Sequence, residues 1–403
     1  MNARTIAVII AGFFTVFTAF AIRYSYGMLL PEMLLDLEIT KVQAGVIYAS
    51  YFVAYTIFSP LLGLMADKYN VRLILTLFPA LLCIGALLMS FSSSLLNASL
   101  FFALTGLGSA ACWSPVVTLI PRFVSDKRRG FALALTDMGS TAGILVWSWA
   151  MPYIVEASSW MMGWTSLAAM ALVATILNAV LVKSYPAGKT EVILPTSDST
   201  LTKTLGKTYL TLLHNTKFWL IGLAYLFIGF SILIPFTFLP THAMQTLALP
   251  YQTAKWLIII IAATGIAGKL VLGHLSDTMG RIKIIILCDI LIAAGGIGMA
   301  YSSSFTTLSI SSAILGIGYG ALWPVYAAIT GDYFPKMYSG TIIGLWTLYM
   351  GVGSIAAPPL AGWTIDSSGT FVWAFILTSV TALISMCLLF PLVKASSRNH
   401  EKM

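Results

Sequence analysis

Four ionisable side chains stand inside long apolar runs of this sequence: Arg23, Asp137, Lys269 and Asp289. Even on a lenient scale, such a group costs at least ~2.5 kcal/mol at the centre of a bilayer. Each therefore needs a partner, a watery cavity or an escape to the interface. Arg23 has Ala19, Phe20, Tyr26 and Gly27 as helical neighbours and stands eight residues before Pro31, about 12 Å from the outer end of its span. These neighbours mark an interior face, and a carbonyl- or Asp-satisfied structural charge is the other reading. Lys269 stands eight residues before Asp277, with Ala262, Gly265, Gly273 and Ser276 on its face. Small residues mark helix or cavity contact rather than lipid, although a lysine so placed could also snorkel to the inner face. Asp137 shares its face with Ala134, Ser140, Thr141 and Ile144. It could be a proton carrier, a switching partner for Lys269 or half of a permanent ion pair. Asp289, among Ile285, Ile286, Ile292 and Ala293, reads as structural.

Aromatic residues surround these charges in sequence. Tyr26, Tyr48, Tyr51, Tyr55, Trp113, Tyr319, Trp323, Tyr326, Trp346 and Tyr349 fall within spans rather than only in interfacial belts. Trp113-Ser-Pro115 and Trp323-Pro324 put a proline beside a tryptophan in spans 4 and 10. A proline inside the membrane loosens the backbone ladder, which survives only against protein or a cavity. No metal-ligand spacing, nucleophile–base pair or phosphate-binding loop occurs, so no metal, cofactor or direct ATP drive is expected.

The elements that must position these groups follow from composition. Of 403 residues, 59% are apolar and 9% charged, against about 25% charged in soluble domains. A water-soluble globule is excluded. Breaks at charges, Pro and Gly delimit twelve spans: 5–31, 42–66, 72–92, 96–121, 130–154, 160–182, 217–241, 252–276, 282–302, 305–330, 338–364 and 370–393. The run before Pro31 is too long for a signal-peptide core. The polar stretch 183–216 is a cytoplasmic linker dividing an N-terminal half, 1–182, from a C-terminal half, 217–403. With both termini cytoplasmic, 18 of the 22 Lys and Arg fall on the cytoplasmic side and two outside, as the positive-inside rule demands. That bias also explains the net charge of +8 without nucleic acid. The four cysteines lie in apolar runs and imply no disulfide framework.

The halves repeat. Gly63-Leu-Met-Ala-Asp67 recurs as Gly273-His-Leu-Ser-Asp277, 210 residues on; Gly106, Gly108 and Trp113 recur as Gly316, Gly318 and Trp323; Gly130 and Gly143 recur as Gly340 and Gly353. A parallel duplication in one register follows. The stretches Gly63 to Arg72 and Gly273 to Arg281 resemble the doubled signature loop of the major facilitator superfamily. In that loop, the Gly admits a neighbouring helix and the Asp caps a helix start and pairs with Arg. The resemblance implies an all-α membrane protein of twelve helices in two six-helix repeats. It also implies a central cavity lined mainly by spans 1, 4, 7 and 10, with alternating access by rocking of the halves. The stretch Arg23 to Pro31 is similar to first helices of bacterial facilitators that include anion symporters. Gly265 to Gly273 is similar to helix 8 of the oxalate–formate antiporter and monocarboxylate porter group. That group has an arginine at the position of Lys269, binding substrate carboxylate; lysine keeps the charge without the bidentate fork.

The expected function is secondary active transport of a small organic anion, a carboxylate, in the cell (inner) membrane by a monomer. Arg23, Lys269, Tyr26, Trp113, Trp323 and Tyr326 are expected to bind substrate and Asp137 to carry the proton. Gly63, Asp67, Arg72, Gly273, Asp277 and Arg281 form the conformational motif. Proton symport is favoured over exchange for a counter-anion. A multidrug or organic-cation exporter of the same fold, or a non-transporting membrane sensor, are the alternatives.

Overall fold

The computed structural model describes residues 3–120, 123–124, 126–182, 214–334 and 339–400. Their helices run in order: α1 (Ala3–Asp36), α2 (Lys41–Lys68), α3 (Val71–Met89), α4 (Leu95–Ala110), α5 (Ser114–Leu119), α6 (Asp126–Ala157) and α7 (Trp160–Leu181). The second half follows with α8 (Thr216–Gln245), α9 (Tyr251–Met279), α10 (Arg281–Ala300), α11 (Phe305–Tyr333), α12 (Ser339–Ser368) and α13 (Val372–His400). Among the described residues twelve spans are long and apolar enough to cross a membrane, with α4 and α5 together forming the fourth. Most of the linker, 183–213, lies outside the described residues.

The helix starts are locally encoded. Thr40, Ser94 and Ser304 each accept from the backbone three residues on in reciprocal capping boxes. Two expectations are corrected. Span 1 does not stop at Pro31: α1 continues to Asp36, so Arg23 lies 13 residues, about 20 Å, from its outer end. Span 4 is not one helix. Pro115 has no N–H to give the Ala111 carbonyl and its ring crowds that carbonyl, so α4 stops at Ala110 and Trp113 restarts the chain as α5. Trp323-Pro324 loses the same bond inside an unbroken α11. There Gly320 lies so close to the Gly265 backbone that no Cβ would fit between them.

The two halves pack alike. In the first, α1 meets α6 and α7, α2 meets α4, and α3 meets α4 and α7; in the second, α8 meets α12 and α13, α9 meets α11, and α10 meets α11 and α13. Between halves α2 packs on α12, α6 on α9 and α1 on α8. At the outer ends this contact is backbone to backbone. A Cβ at Gly27 would strike the Phe236 carbonyl, one at Gly45 the Pro358 backbone, and one at Gly362 the Lys41 carbonyl. Polar bonds add to the closure. The Asp366 carboxylate accepts from the Lys41 and Val42 amides at 3.2 and 2.8 Å, Tyr251 donates to the Met28 carbonyl, and Gln252 donates to Glu156. Toward the linker side, Gly273 and Gly344 meet nothing within 4 Å among the described residues. The halves are shut at their outer ends.

Candidate functional site

Arg23 is held by the first half. It is 6% exposed, and its guanidinium carbon lies 4.6 Å from the ring centre of Tyr55, 5.0 Å from Phe20, 5.3 Å from Tyr51 and 5.5 Å from Phe52. Tyr51 and Tyr55 are one helical turn apart on α2 and stack nearly parallel, at 9°, which gives the cation one continuous aromatic wall. Nε donates to the Tyr51 hydroxyl at 3.0 Å, and that hydroxyl donates to Ser109 Oγ at 2.5 Å. Tyr48 donates to the carbonyl of Arg23 itself at 3.0 Å, fixing the backbone. No acid lies within ion-pair distance among the described residues. Among the described residues the Tyr24 hydroxyl is the other group that reaches the guanidinium, beside the Tyr51 bond to Nε. Rings and Tyr51 orient the charge, while its fork of donors stays available.

A chain of rings carries this cage across to the second half. Tyr24, beside Arg23, meets Phe236 of α8 at 4.4 Å; Phe236 meets Tyr319 of α11 at 5.3 Å; Tyr319 meets Trp323 at 6.3 Å; Trp323 meets Tyr225 at 5.6 Å. Lys269 lies one helical turn toward the linker side from Gly265, whose Cβ position touches Tyr319. It does not stand alone: its Nζ is 2.6 Å from Asp137 Oδ2, both side chains about a third exposed, at 32% and 34%. The bridge joins α9 to α6, and so one half to the other. Gly268 seats α9 against the Ile317 backbone of α11, leaving the next residue turned toward α6.

Other expected site residues go elsewhere. Tyr26 is 0% exposed, stacked between Tyr48 (4.8 Å) and Phe102 (5.0 Å), its hydroxyl donating to the Ala44 carbonyl at 2.7 Å. It cements α1 to α2 and α4 instead of facing the cations. Tyr326 packs 4.3 Å from Tyr225 with its hydroxyl turned into the half's interior. Trp323 is half-buried within the ring chain, and Trp113 is 39% exposed at the α4–α5 break. In the conformational motif, Gly63 meets Ser114 Oγ closely, as a small residue should, but Gly273 meets nothing. The expected Asp caps are also corrected: Asn70 caps α3 and Gly280, at φ +96°, opens α10. Arg281 bonds Asp277 at 3.3 Å, the Ala328 carbonyl at 3.1 Å and Asp332, while Arg72 donates to the Ala179 carbonyl at 2.6 Å. The side chain of Asp67 lies outside the described residues. Tyr24, Tyr51 and Ser109 are the site residues that sequence reasoning did not tie to Arg23. Tyr48, Tyr51 and Tyr55, at three- and four-residue steps on one helix face, were the available signal.

The comparisons with known proteins agree with this architecture. The family model described as Major Facilitator Superfamily matches residues 12–254 and 221–402. Monocarboxylate transporter 12 of Xenopus laevis is 25% identical over 354 residues, covering 82% of this chain and 76% of that one. The hexuronate transporter of Bacillus subtilis is 22% identical over 372 residues, covering 87% and 85%. A bacterial homologue of the lysosomal transporter Spinster, inward-facing and occupied, superposes with a TM-score of 0.80 at 14% identity, covering 98% of each chain. A twelve-span, two-half helical chain matched along nearly its whole length by that family belongs to the major facilitator superfamily, and is a transporter rather than an enzyme.

Proposed function

We propose that this chain carries a small organic anion with a carboxylate group across the membrane by alternating access, driven by proton symport. The observation that carries the reading is Arg23: an almost wholly buried cation, caged by four rings and one hydroxyl, with no acid beside it. Uncompensated positive charge in a partly dehydrated cavity favours an anion, and two terminal nitrogens in a plane match the two oxygens of a carboxylate. Relatives named for monocarboxylates and a hexuronate support the same class.

Lys269 and Asp137 supply the coupling. Paired at 2.6 Å, they hold each other's charge. A proton on Asp137 frees Lys269 to meet the substrate carboxylate from the second half, so that proton and anion load together and draw the halves closed. Tyr319 and Trp323 continue the run of rings that starts at Tyr24 beside Arg23, and Trp113 stands at the joint of the fourth span.

The test is uptake into proteoliposomes of radiolabelled monocarboxylates, dicarboxylates and, as controls, lipophilic organic cations, with and without an inwardly acidic-outside pH gradient. Accumulation of a carboxylate that collapses with the gradient is the expected result. Carriage of the cations alone would overturn the anion assignment, and gradient-independent exchange would overturn symport.

A further inference from the structure

The second half encloses an acid that the site above does not use. Asp289 of α10 is 0% exposed. Ser385 of α13 donates to its Oδ2 at 2.8 Å, while Oδ1 has no partner. The hydroxyl of Tyr326, from α11, is sealed from solvent and unpartnered too, and it lies in the same pocket, facing Asp289 and Ser385. The polar and titratable groups gathered here are Ser385 from α13, Tyr326 from α11, Tyr225 from α8 and Cys288 from α10 itself. None is a cation.

A bare carboxylate in such a place loses several kcal/mol of hydration with no counter-charge to offset it. A carboxylic acid fits the geometry instead. Ser385 gives its proton to Oδ2, and Tyr326, close to Ser385 Oγ, gives its own proton there, so a line of hydroxyls runs from the acid to Tyr326. A neutral acid leaves its second oxygen without a partner at far less cost than a charge would.

We propose that Asp289 is a proton-binding site of the C-terminal half, loaded and unloaded through Tyr326. The way out is visible in the packing. Tyr326 lies 4.3 Å from Tyr225, and Tyr225 meets Trp323, the half-buried ring of the run that starts at Tyr24. Pro324, two residues before Tyr326, has already removed one backbone bond from α11, so the turn that carries this hydroxyl is the one most readily moved. A hydronium ion reaching Tyr326 gives a proton to its oxygen and leaves as water, Tyr326 passes its own proton to Ser385, and Ser385 passes its own to Asp289 Oδ2; release runs in reverse. Only what the proton drives rests on the transport reading; its binding does not.

The experiment compares purified wild type with Asp289→Asn, without substrate, counting protons released on an alkaline pH jump with a pH-sensitive dye, and repeats the comparison in an Asp137→Asn background, where the other acid of the site is already removed. The variant is expected to release one proton fewer than wild type, and in proteoliposomes to exchange substrate normally while losing gradient-driven accumulation. Equal proton release overturns the proposal. If Asp289→Asn does not fold, Ser385→Ala and Tyr326→Phe leave the acid in place and should shift the pH of release; an unmoved pH of release in both overturns it as well. A lost proton in a protein that carries no carboxylate would sink the substrate assignment and leave this site standing.

Discussion

Replacing Arg23 by Gln removes the charge and the fork while leaving a side chain of similar reach. The structure fixes what is lost. Nε is already committed to Tyr51 at 3.0 Å, so the two terminal nitrogens are what remain for a ligand. Hydrogen bonds to charged groups contribute about 1.5–3 kcal/mol each, so two come to about 3–6 kcal/mol. At 1.4 kcal/mol per tenfold, carboxylate affinity should fall by ~10² or more. Arg23→Lys keeps a cation among the same rings but loses the parallel pair of donors, and an intermediate loss of ~10-fold follows if one bond survives. The rings at 4.6–5.5 Å hold the guanidinium whether or not a ligand is present, so the site is organised in advance. Equilibrium binding of a radiolabelled carboxylate to purified protein gives the affinity, and counterflow in proteoliposomes gives the transport loss. Thermal stability of Arg23→Gln should match or exceed wild type, because a buried cation without an acid partner is removed. An Arg23→Gln protein that binds within ~3-fold of wild type would refute the reasoning, since no reading of two charge-assisted bonds allows so small a loss.

Asp137→Asn leaves Lys269 without its partner at 2.6 Å. Gradient-driven accumulation should collapse while exchange persists, because an amide cannot take up the coupling proton; equal loss of both activities in the proteoliposome assay would mark a purely structural bridge. Gly45→Leu forces a side chain into the Pro358 backbone, so the outer closure should part. A cysteine placed at Met28, buried where Tyr251 of the other half bonds its carbonyl, should then react faster with a membrane-impermeant maleimide, and an unchanged rate would show that the outer seal does not depend on this contact.

The sequence showed the number of spans, the duplication and the in-span charges because each is written in long-range features: twelve apolar runs, a 210-residue register and a one-sided distribution of Lys and Arg. It was weaker wherever two helices decide the matter between them. Tyr26 and Tyr51 are both tyrosines on spans near the cavity, yet one hydroxyl goes to the Ala44 carbonyl and the other to Arg23. Only the rotation of α1 against α2 separates them. Gly63 and Gly273 occupy matching places in the repeat, but Gly63 meets Ser114 within its own half, and the position 210 residues on from Ser114 is Pro324, which makes no such contact with Gly273. Pro31 looked like an end because proline usually breaks a helix. In place, the chain around it is braced by the Gly27–Phe236 approach and carries on to Asp36.

The divided fourth span and its undivided counterpart make the two repeats mechanically unequal. A rod interrupted at Ala111–Trp113 can flex at that elbow, whereas α11 runs unbroken from Phe305 to Tyr333 and yields only in the turn at Pro324. Motion in the N-terminal bundle is therefore free to be local, a bend beside the Arg23 cage. In the C-terminal bundle a shift at the outer face is carried along α11 as far as that turn.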